Sequence, residues 1–157
     1  MKSLLKTTIA AASAVALTAG VSLAQYESDQ DQILQVLAQY ETALNASNTF
    51  AVMQLYAKDG VFMPQHSQSH VGHDAVQAAY NYVFETITLN VEFEITEVHV
   101  ISPEWAFART NSAGVVTINA TGDQGPEANQ ELFIFRKQSE GDWKIARYAF
   151  STTNPPK

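Results

Sequence analysis

The sequence predicts an α+β domain in which three N-terminal helices cover a curved antiparallel sheet. Two patterns carry this prediction. Between residues 29 and 86 the apolar side chains recur at helical spacing, and from Thr88 onward they alternate with polar side chains, as in a half-buried strand. Helices and strands that are segregated along the chain in this way are typical of α+β domains.

Three helices are predicted before the sheet. The first spans residues 29–46, and its apolar stripe consists of Ile33, Leu37, Tyr40 and Leu44. Ser28, with Asp31 three residues later, resembles a capping box and predicts where this helix begins. Asn48 is the expected N-cap of a short second helix. A third helix is predicted at residues 73–86, after a polar loop.

Five strands are predicted around and after the third helix. A short strand at 61–63 precedes that helix, and four longer strands follow: one that begins at Thr88, and three at 104–120, 129–138 and 142–151. The alternation slips between Ile95 and Val98, which predicts a β-bulge. A bend is expected near Gly114, and a hairpin turn at 139–142.

The first 24 residues predict a cleaved signal peptide. Lys2 and Lys6 make a positive start, an apolar run follows, and Ser22-Leu23-Ala24 fits the site of a signal peptidase. A membrane anchor is the alternative, but the run is shorter than the ~20 apolar residues of a spanning helix. We therefore expect cleavage after Ala24, a periplasmic or secreted location, and a mature chain of one domain, residues 25–157.

The charge balance and the absence of cysteine narrow the possible functions. The chain has a formal net charge of −7 and no cysteine. Nucleic acids and anionic membranes are bound through Lys and Arg clusters, so neither is expected as a partner, and the mature protein is not expected to be embedded in a membrane. Disulfides, thiolate catalysis and Cys-ligated metals are excluded. No cofactor is expected.

Two predicted strands carry candidate pocket residues. Alternation places Arg109 and Asn111 on one strand face and places Glu131 on the same face as Phe133 and Phe135. If both faces line the interior, Arg109 and Glu131 form a desolvated pair that either anchors a polar group of a ligand or only rigidifies the sheet. The alternative is that Arg109 faces solvent or pairs with another acidic residue.

Further candidates lie on the first helix and on the polar loop. Tyr40 is a predicted pocket residue, with a core aromatic residue as the alternative. His66, His70 and His73 have spacings seen in zinc sites, but they lie on a loop with no neighbouring carboxylate before Asp74, so no metal is expected. His66 is the histidine that we expect to face the pocket.

Three stretches, in their order and spacing, resemble the nuclear transport factor 2-like superfamily, with its SnoaL-like and ketosteroid isomerase-like members. They are LYAKDGVFMP at 55–64, VGHDAV at 71–76, and the hairpin that runs from FRK at 135–137 to GDWKI at 141–145. The resemblance implies a cystatin-like cone, a curved sheet closed by helices around a pocket. It also implies a homodimer that associates through its sheet, and an exported bacterial protein of unassigned activity.

Within that superfamily the ketosteroid isomerases offer a test residue by residue. The resemblance places their oxyanion-stabilising tyrosine on Tyr40, their general base on Met63, and their second acid in the apolar run 132–135. A thioether cannot take a proton from a carbon acid, so this mechanism is not expected. No catalytic residue is assigned.

The sequence therefore predicts a binding function first and an enzymatic one as the alternative. The first is an exported small-molecule-binding domain with a mixed apolar and polar pocket, whose ligand is a small apolar molecule with a polar group, either anionic or a carbonyl. The alternative is an isomerase, cyclase or dehydratase that needs no cofactor and uses acid–base groups in the pocket. His66 and Glu131 are the candidate bases for it.

Overall fold

A computed structural model describes residues 13–155, with side chains from residue 25 onward. It contains three helices, α1 (Ser13–Asn45), α2 (Thr49–Leu55) and α3 (His73–Thr86). The six strands are β1 (Tyr56–Met63), β2 (His70–Val71), β3 (Ile87–Val100), β4 (Trp105–Ile118), β5 (Gln124–Lys137) and β6 (Trp143–Thr152). The predicted α+β class, with three helices against a curved sheet, is confirmed.

The strands form one open, curved sheet in the order β2-β1-β6-β5-β4-β3. All neighbours are antiparallel except β1 and β6, which run parallel. Strand β1 begins earlier than predicted, at Tyr56, and its ladder with β6 is interrupted between Tyr56 and Val61. The short strand β2, where a loop was predicted, adds an edge to the sheet by pairing His70 with Phe62.

Strands β3 and β4 form a long hairpin that contains the predicted bulge. The ladder shifts register between Ile95 and Glu97, which confirms the bulge expected from the slipped alternation. At Gly114 the two backbones approach closely: a Cβ atom there would overlap the carbonyl oxygen of Asn90 and lie 2.8 Å from the Cα of Val91. Only glycine fits at this position of the ladder without displacing β3.

Helix α1 extends further toward the N-terminus than the capping pattern predicted. It already includes Ser28, which therefore does not cap it. The predicted cap of α2 is confirmed, because the side chain of Asn48 accepts a 3.0 Å hydrogen bond from the backbone N–H of Ala51. Of the predicted signal peptide, residues 1–12 lie outside the described residues, and only the backbone of residues 13–24 is described. No helix in the described part of the chain is long and apolar enough to cross a membrane.

The helices pack on the concave face of the sheet and enclose one core. A buried ion pair joins α1 to the far end of β5: the Asp29 carboxylate, 3% exposed, accepts a 2.5 Å hydrogen bond from Lys137 Nζ. The same oxygen accepts hydrogen bonds from the indole N–H of Trp143 and from the Gln25 amide. Burial opposes ionisation of Asp29, but these hydrogen bonds outweigh it, so its pKa is lowered.

Candidate functional site

A hollow of about 130 Å³ lies between the helices and the concave face of the sheet. Its wall is mostly apolar, and its polar groups gather on β5 and its neighbours. The hollow is lined by Tyr40, Leu44, Phe62, Pro64, Tyr80, Val83, Ile87, Leu89, Val91, Phe93, Ser112, Glu127, Asn129, Glu131, Tyr148 and Phe150. These sixteen residues include two carboxylates and no Lys, Arg or His, so its charged groups are all acidic.

Glu131 is the most deeply buried carboxylate of the hollow, at 5% exposed. Its carboxylate accepts one hydrogen bond from the hydroxyl of Thr110 and one of 2.5 Å from the hydroxyl of Ser112. Burial raises the pKa of Glu131, the two hydroxyls offset this in part, and the nearby charge of Glu127 raises it further. It forms no ion pair with any residue in the range 13–155. Glu131 is thus a buried carboxyl group that ionises less readily than an exposed glutamate.

Asn129 stands beside Glu131 on the same face of β5. Its amide nitrogen donates a 2.8 Å hydrogen bond to Glu127 and a longer one, 3.4 Å, to Ser112. Its Oδ1 is buried and has no hydrogen-bond partner among the described residues. A buried acceptor without a partner is costly unless a donor reaches it, so this oxygen marks a place where a bound molecule could donate a hydrogen bond.

A chain of three tyrosine hydroxyls reaches the hollow from the helical side. The Tyr80 hydroxyl lies 2.5 Å from that of Tyr40 and 3.0 Å from that of Tyr56. Two hydrogen bonds among three hydroxyls use two of their three protons, and the order of the donors decides which hydroxyl keeps the third. Tyr40 lines the hollow and Tyr56 does not. With the donors ordered from Tyr56 toward Tyr40, the free proton of Tyr40 is available to a molecule in the hollow.

Burial keeps these phenols protonated. The pKa of Tyr80 is raised by burial, and those of Tyr40 and Tyr56 are raised well above the ordinary range for the same reason. The pKa of Tyr148 is raised by burial and further by the negative charge of Glu131. The same hollow is therefore lined by neutral hydroxyl groups and by a carboxyl group, a combination suited to binding a polar group or to moving a proton.

The predicted pair of Arg109 and Glu131 is wrong. The register sets Thr110 directly opposite Glu131, so the concave face of β4 carries Thr110 and its alternate neighbours, while Arg109 points to the convex face. There its side chain is 60% exposed, and it donates a 3.0 Å hydrogen bond to Glu97. Asn111 lies on the same convex face as Arg109. The shared strand face was predicted, but it is the outer one.

The other predicted residues divide between the hollow and the surface. Tyr40 and Glu131 line the hollow, and their part in binding a ligand stays a prediction. His66 is exposed, has a left-handed backbone conformation (φ 58°), and does not line the hollow. Met63, where the resemblance placed a general base, does not line it either; its neighbours Phe62 and Pro64 do.

The loop histidines do not assemble into a metal site. Across residues 13–155, no group of three or more His or acidic side chains is arranged to hold a metal ion. His70 is held in strand β2, where its ring stacks on Phe62 with centroids 6.1 Å apart. His73 begins helix α3 and lies 3.5 Å from the exposed carboxylate of Asp74. The three side chains thus have separate environments.

Sequence reasoning missed several polar residues of the hollow. Ser112 and Asn129 lie within two of the predicted strands and Tyr80 within the third predicted helix, but none of them was a candidate site residue. A signal for Ser112 was present: the small side chains Ala106, Ala108 and Ser112 fall on one face of β4, which indicates a face covered closely by other elements. Nothing in the sequence pointed to the hydroxyl contact of Tyr80.

Comparison with known proteins agrees with this architecture. The SnoaL-like domain model matches residues 36–152. A ketosteroid isomerase-like protein from Erwinia carotovora atroseptica is 38% identical, with a TM-score of 0.78 over 81% of this chain and 98% of that chain. No curated protein matches the sequence.

Two more distant solved structures share the fold alone. A nuclear transport factor 2-like superfamily protein from Salmonella enterica has a TM-score of 0.72 at 12% identity, over 83% of this chain and 95% of that one. A protein with a cystatin-like fold from Caulobacter vibrioides has a TM-score of 0.68 at 19% identity, over 82% and 92%. Because the family model matches most of the chain, the chain belongs to the SnoaL-like domain family.

Proposed function

We propose that this domain binds a small, largely apolar molecule in the hollow and that Glu131 is the polar anchor of the site. The observation that supports this most directly is the buried carboxyl group of Glu131, which lines the hollow and is held by two hydroxyls without a basic partner. A buried carboxylate without a basic partner costs stability when it is ionised, so its presence in a cavity favours a functional role over a structural one.

The size of the hollow limits the ligand. Sites for drug-sized molecules have volumes of about 300–1,000 Å³, whereas this one measures about 130 Å³. An apolar cavity of about 150 Å³ holds one benzene molecule. The ligand that fits without rearrangement is therefore a compound of about one ring, or a branched chain of similar volume.

The test is to fill the hollow with a larger side chain and to compare the small molecules bound by the variant with those bound by the wild type. Native mass spectrometry of the purified protein identifies small molecules that remain bound, and calorimetry measures their affinity. Leu89→Phe enlarges a lining residue and should abolish binding. Val115→Phe, on the outer side of β4, is the matched control and should bind as the wild type does. Equal binding by the wild type and Leu89→Phe would show that the hollow is not the site.

A second candidate function is acid–base catalysis without a cofactor. It is favoured by the raised pKa of Glu131 together with the hydroxyl chain that ends at Tyr40 in the same hollow. In an isomerase or dehydratase, the Glu131 carboxylate would accept a proton from the carbon atom next to a carbonyl group. The Tyr40 hydroxyl would donate a hydrogen bond to the carbonyl oxygen as it gains charge.

Exchange of carbon-bound protons for deuterium tests this second function. NMR would follow exchange next to the carbonyl of a one-ring ketone with and without the protein. Glu131→Gln should lower a protein-dependent rate by about 10²–10⁴-fold, while Met63→Ala should leave it unchanged, because Met63 does not line the hollow. A rate that survives Glu131→Gln would remove the carboxylate as the base.

Export and cleavage after Ala24 remain part of this proposal. They are supported by the basic start, the apolar run and the small residues at 22 and 24. Within the side chains that the structure describes, the buried contacts of α1 begin at Asp29, beyond the proposed cut. Intact mass of protein from the periplasm or medium should correspond to a chain that starts at Gln25. Full-length chain held in the membrane fraction would refute processing.

We further propose a homodimer formed through the convex face of the sheet. That face carries Leu132, 42% exposed, beside the partly exposed Phe107 and Ile134. Two-fold dimers are the commonest assemblies of small proteins. Light scattering should give twice the mass of one chain, and Leu132→Glu should give the mass of one. Thr117→Glu, at the far end of the same face, is a control that should remain dimeric. A wild-type monomer at micromolar concentration would remove this proposal.

A further inference from the structure

The polar side chains of β5 that line the hollow favour a positively charged ligand. Glu127 and Glu131 both line it, and neither forms an ion pair with a residue in the described part of the chain. Asn129 adds the buried Oδ1 that has no partner, and its amide nitrogen already donates to Glu127. Three acceptor side chains therefore face a space that no basic side chain lines. An anionic ligand would be repelled from it.

Aromatic side chains make up much of the wall. Six of the sixteen lining residues are aromatic: Tyr40, Phe62, Tyr80, Phe93, Tyr148 and Phe150. They pack on one another, as in the stack of Phe62 on Tyr148 with ring centroids 5.6 Å apart. The faces of aromatic rings are negative and attract a cation within about 6 Å, which is how quaternary ammonium groups are recognised.

We infer that the hollow is a binding site for a small organic cation, a quaternary or protonated amine. Glu131 and Glu127 supply the opposite charge, the aromatic side chains surround the apolar substituents, and Asn129 accepts a hydrogen bond from a hydroxyl or ammonium group. This inference rests on the proposed function, which it narrows from any small apolar molecule to one charge class. It also reverses the expectation of an anionic group, because Arg109 lies on the opposite face of the sheet.

The cation must be small. A hollow of about 130 Å³ has room for a trimethylammonium group with a short substituent, close to the volume of one benzene molecule. Burial favours this pairing over a simple surface contact, since Glu131 is 5% exposed and little water competes with the ligand. Burial raises the pKa of Glu131, and a bound cation would lower it again, because the cation stabilises the ionised carboxylate.

Three matched compounds test the charge preference. Choline is a cation. In 3,3-dimethylbutan-1-ol a carbon atom replaces the ammonium nitrogen, so the shape is kept and the charge removed, and 3,3-dimethylbutanoate is an anion of similar shape. Titration calorimetry on the purified protein should show choline binding about tenfold or more tightly than the alcohol, as expected for a desolvated cation between carboxylates and rings. The anion should show no binding at the same concentrations.

Variants assign the preference to the hollow. Glu131→Gln keeps the shape of the side chain and removes its charge, so choline affinity should fall about tenfold or more while affinity for the alcohol is unchanged. Unchanged alcohol binding also shows that the variant is folded. Should that variant fail to fold, Glu127→Gln should lower the affinity for choline alone. Arg109→Met, on the convex face, is the control and should leave all three affinities unchanged.

The outcomes separate this inference from the proposed function. If the alcohol or the anion binds as tightly as choline, the cation preference is overturned, and a small-molecule site in the hollow still stands. If Glu131→Gln weakens choline and the alcohol equally, the carboxylate does not recognise charge, and the inference is again overturned. If none of the three binds to folded protein, the inference fails, and the Leu89→Phe comparison decides separately whether the hollow binds anything.

Discussion

Ser112 donates a 2.5 Å hydrogen bond to the carboxylate of Glu131 across the ladder between β4 and β5. The two residues are not directly opposite: the register pairs Glu131 with Thr110 and Ser112 with Asn129. Glu131 therefore reaches diagonally along the concave face and is held between two hydroxyls on β4. This places an ionisable group at a fixed point in an apolar wall, and the proposed functions depend on that point.

The raised pKa of Glu131 predicts how stability depends on pH. The folded protein holds the Glu131 proton more tightly than the unfolded chain does, so this residue contributes most to stability at low pH. Its contribution is lost as the pH rises from the ordinary glutamate value of about 4.3 through the raised pKa. Compared with Glu131→Gln, the wild type should therefore become progressively less stable as pH increases.

Urea unfolding at a series of pH values measures this difference. The groups that face the carboxylate are Thr110, Ser112, Glu127 and Tyr148, and all are kept in the variant. Carboxylates elsewhere with a lowered pKa, such as Asp29, make the protein more stable as the pH rises. Both proteins contain them, so their contributions cancel in the comparison. A difference that is constant with pH would mean that Glu131 is as easily ionised in the folded protein as in the unfolded chain.

The buried ion pair of Asp29 should stabilise the fold much more than the exposed pair of Arg109. Asp29→Ala leaves Lys137 and the Trp143 indole without their partner, and we expect a loss of about 3 kcal/mol, since Lys137 is only 19% exposed. Arg109→Met breaks only an exposed contact with Glu97 and should change the free energy of unfolding by less than about 1 kcal/mol. Chemical denaturation measures both values, and similar losses for the two variants would contradict the assigned burial.

Gly114 should be intolerant of any side chain. Gly114→Ala places a methyl group against the backbone of β3 at Asn90 and Val91, so the strands must separate locally, at a cost of about 1–3 kcal/mol or more. Gly125→Ala on β5 is the control, because nothing lies within 4 Å of a Cβ there. Thermal unfolding compares the two. Equal unfolding midpoints for the two variants would show that the backbones of β3 and β4 do not approach closely at Gly114.

The sequence predicted the elements well where the pattern was local. Helix α3 begins and ends where its period predicted, and the bulge near Ile95 follows from the slipped alternation. The N-terminal limit of α1 was wrong because a capping motif was taken for a boundary, although helical residues continue before Ser28. Strand β2 consists of two residues, too few for any pattern, and exists only because β1 offers an edge.

The site was harder to predict because alternation gives two faces without saying which one is covered. On β4 one face carries large side chains such as Phe107, together with Arg109, while the other carries Ala108 and Thr110. Size and hydrophobicity favoured the first as the inner face. The helices cover the second, since its small side chains leave room for the large aromatic residues of the core, such as Tyr40 on α1 and Phe133 on the neighbouring β5. Only the register, which depends on the whole sheet, decides this.

The last prediction concerns Tyr80, the middle hydroxyl of the buried tyrosine chain. Tyr80→Phe removes both of its hydrogen bonds and leaves the hydroxyls of Tyr40 and Tyr56 buried without it. An unsatisfied buried hydroxyl costs about 1–3 kcal/mol, so Tyr80→Phe should destabilise the protein by at least that much. Tyr82→Phe is the matched control on the same helix: its side chain is 69% exposed, and its loss should be near zero.

The chain of three tyrosine hydroxyls also connects the stability of the fold with ligand binding at the proposed site. With Tyr80 replaced, the Tyr40 hydroxyl loses the hydrogen-bonded neighbour that orients and polarises it, so it is a weaker and less ordered donor to an acceptor in the hollow. A ligand that accepts a hydrogen bond from Tyr40 should then bind less tightly to Tyr80→Phe, whereas one held only by Glu131 should bind unchanged. Denaturation and calorimetry on the two phenylalanine variants separate these effects. If Tyr80→Phe is as stable as Tyr82→Phe, the three hydroxyls do not form the chain.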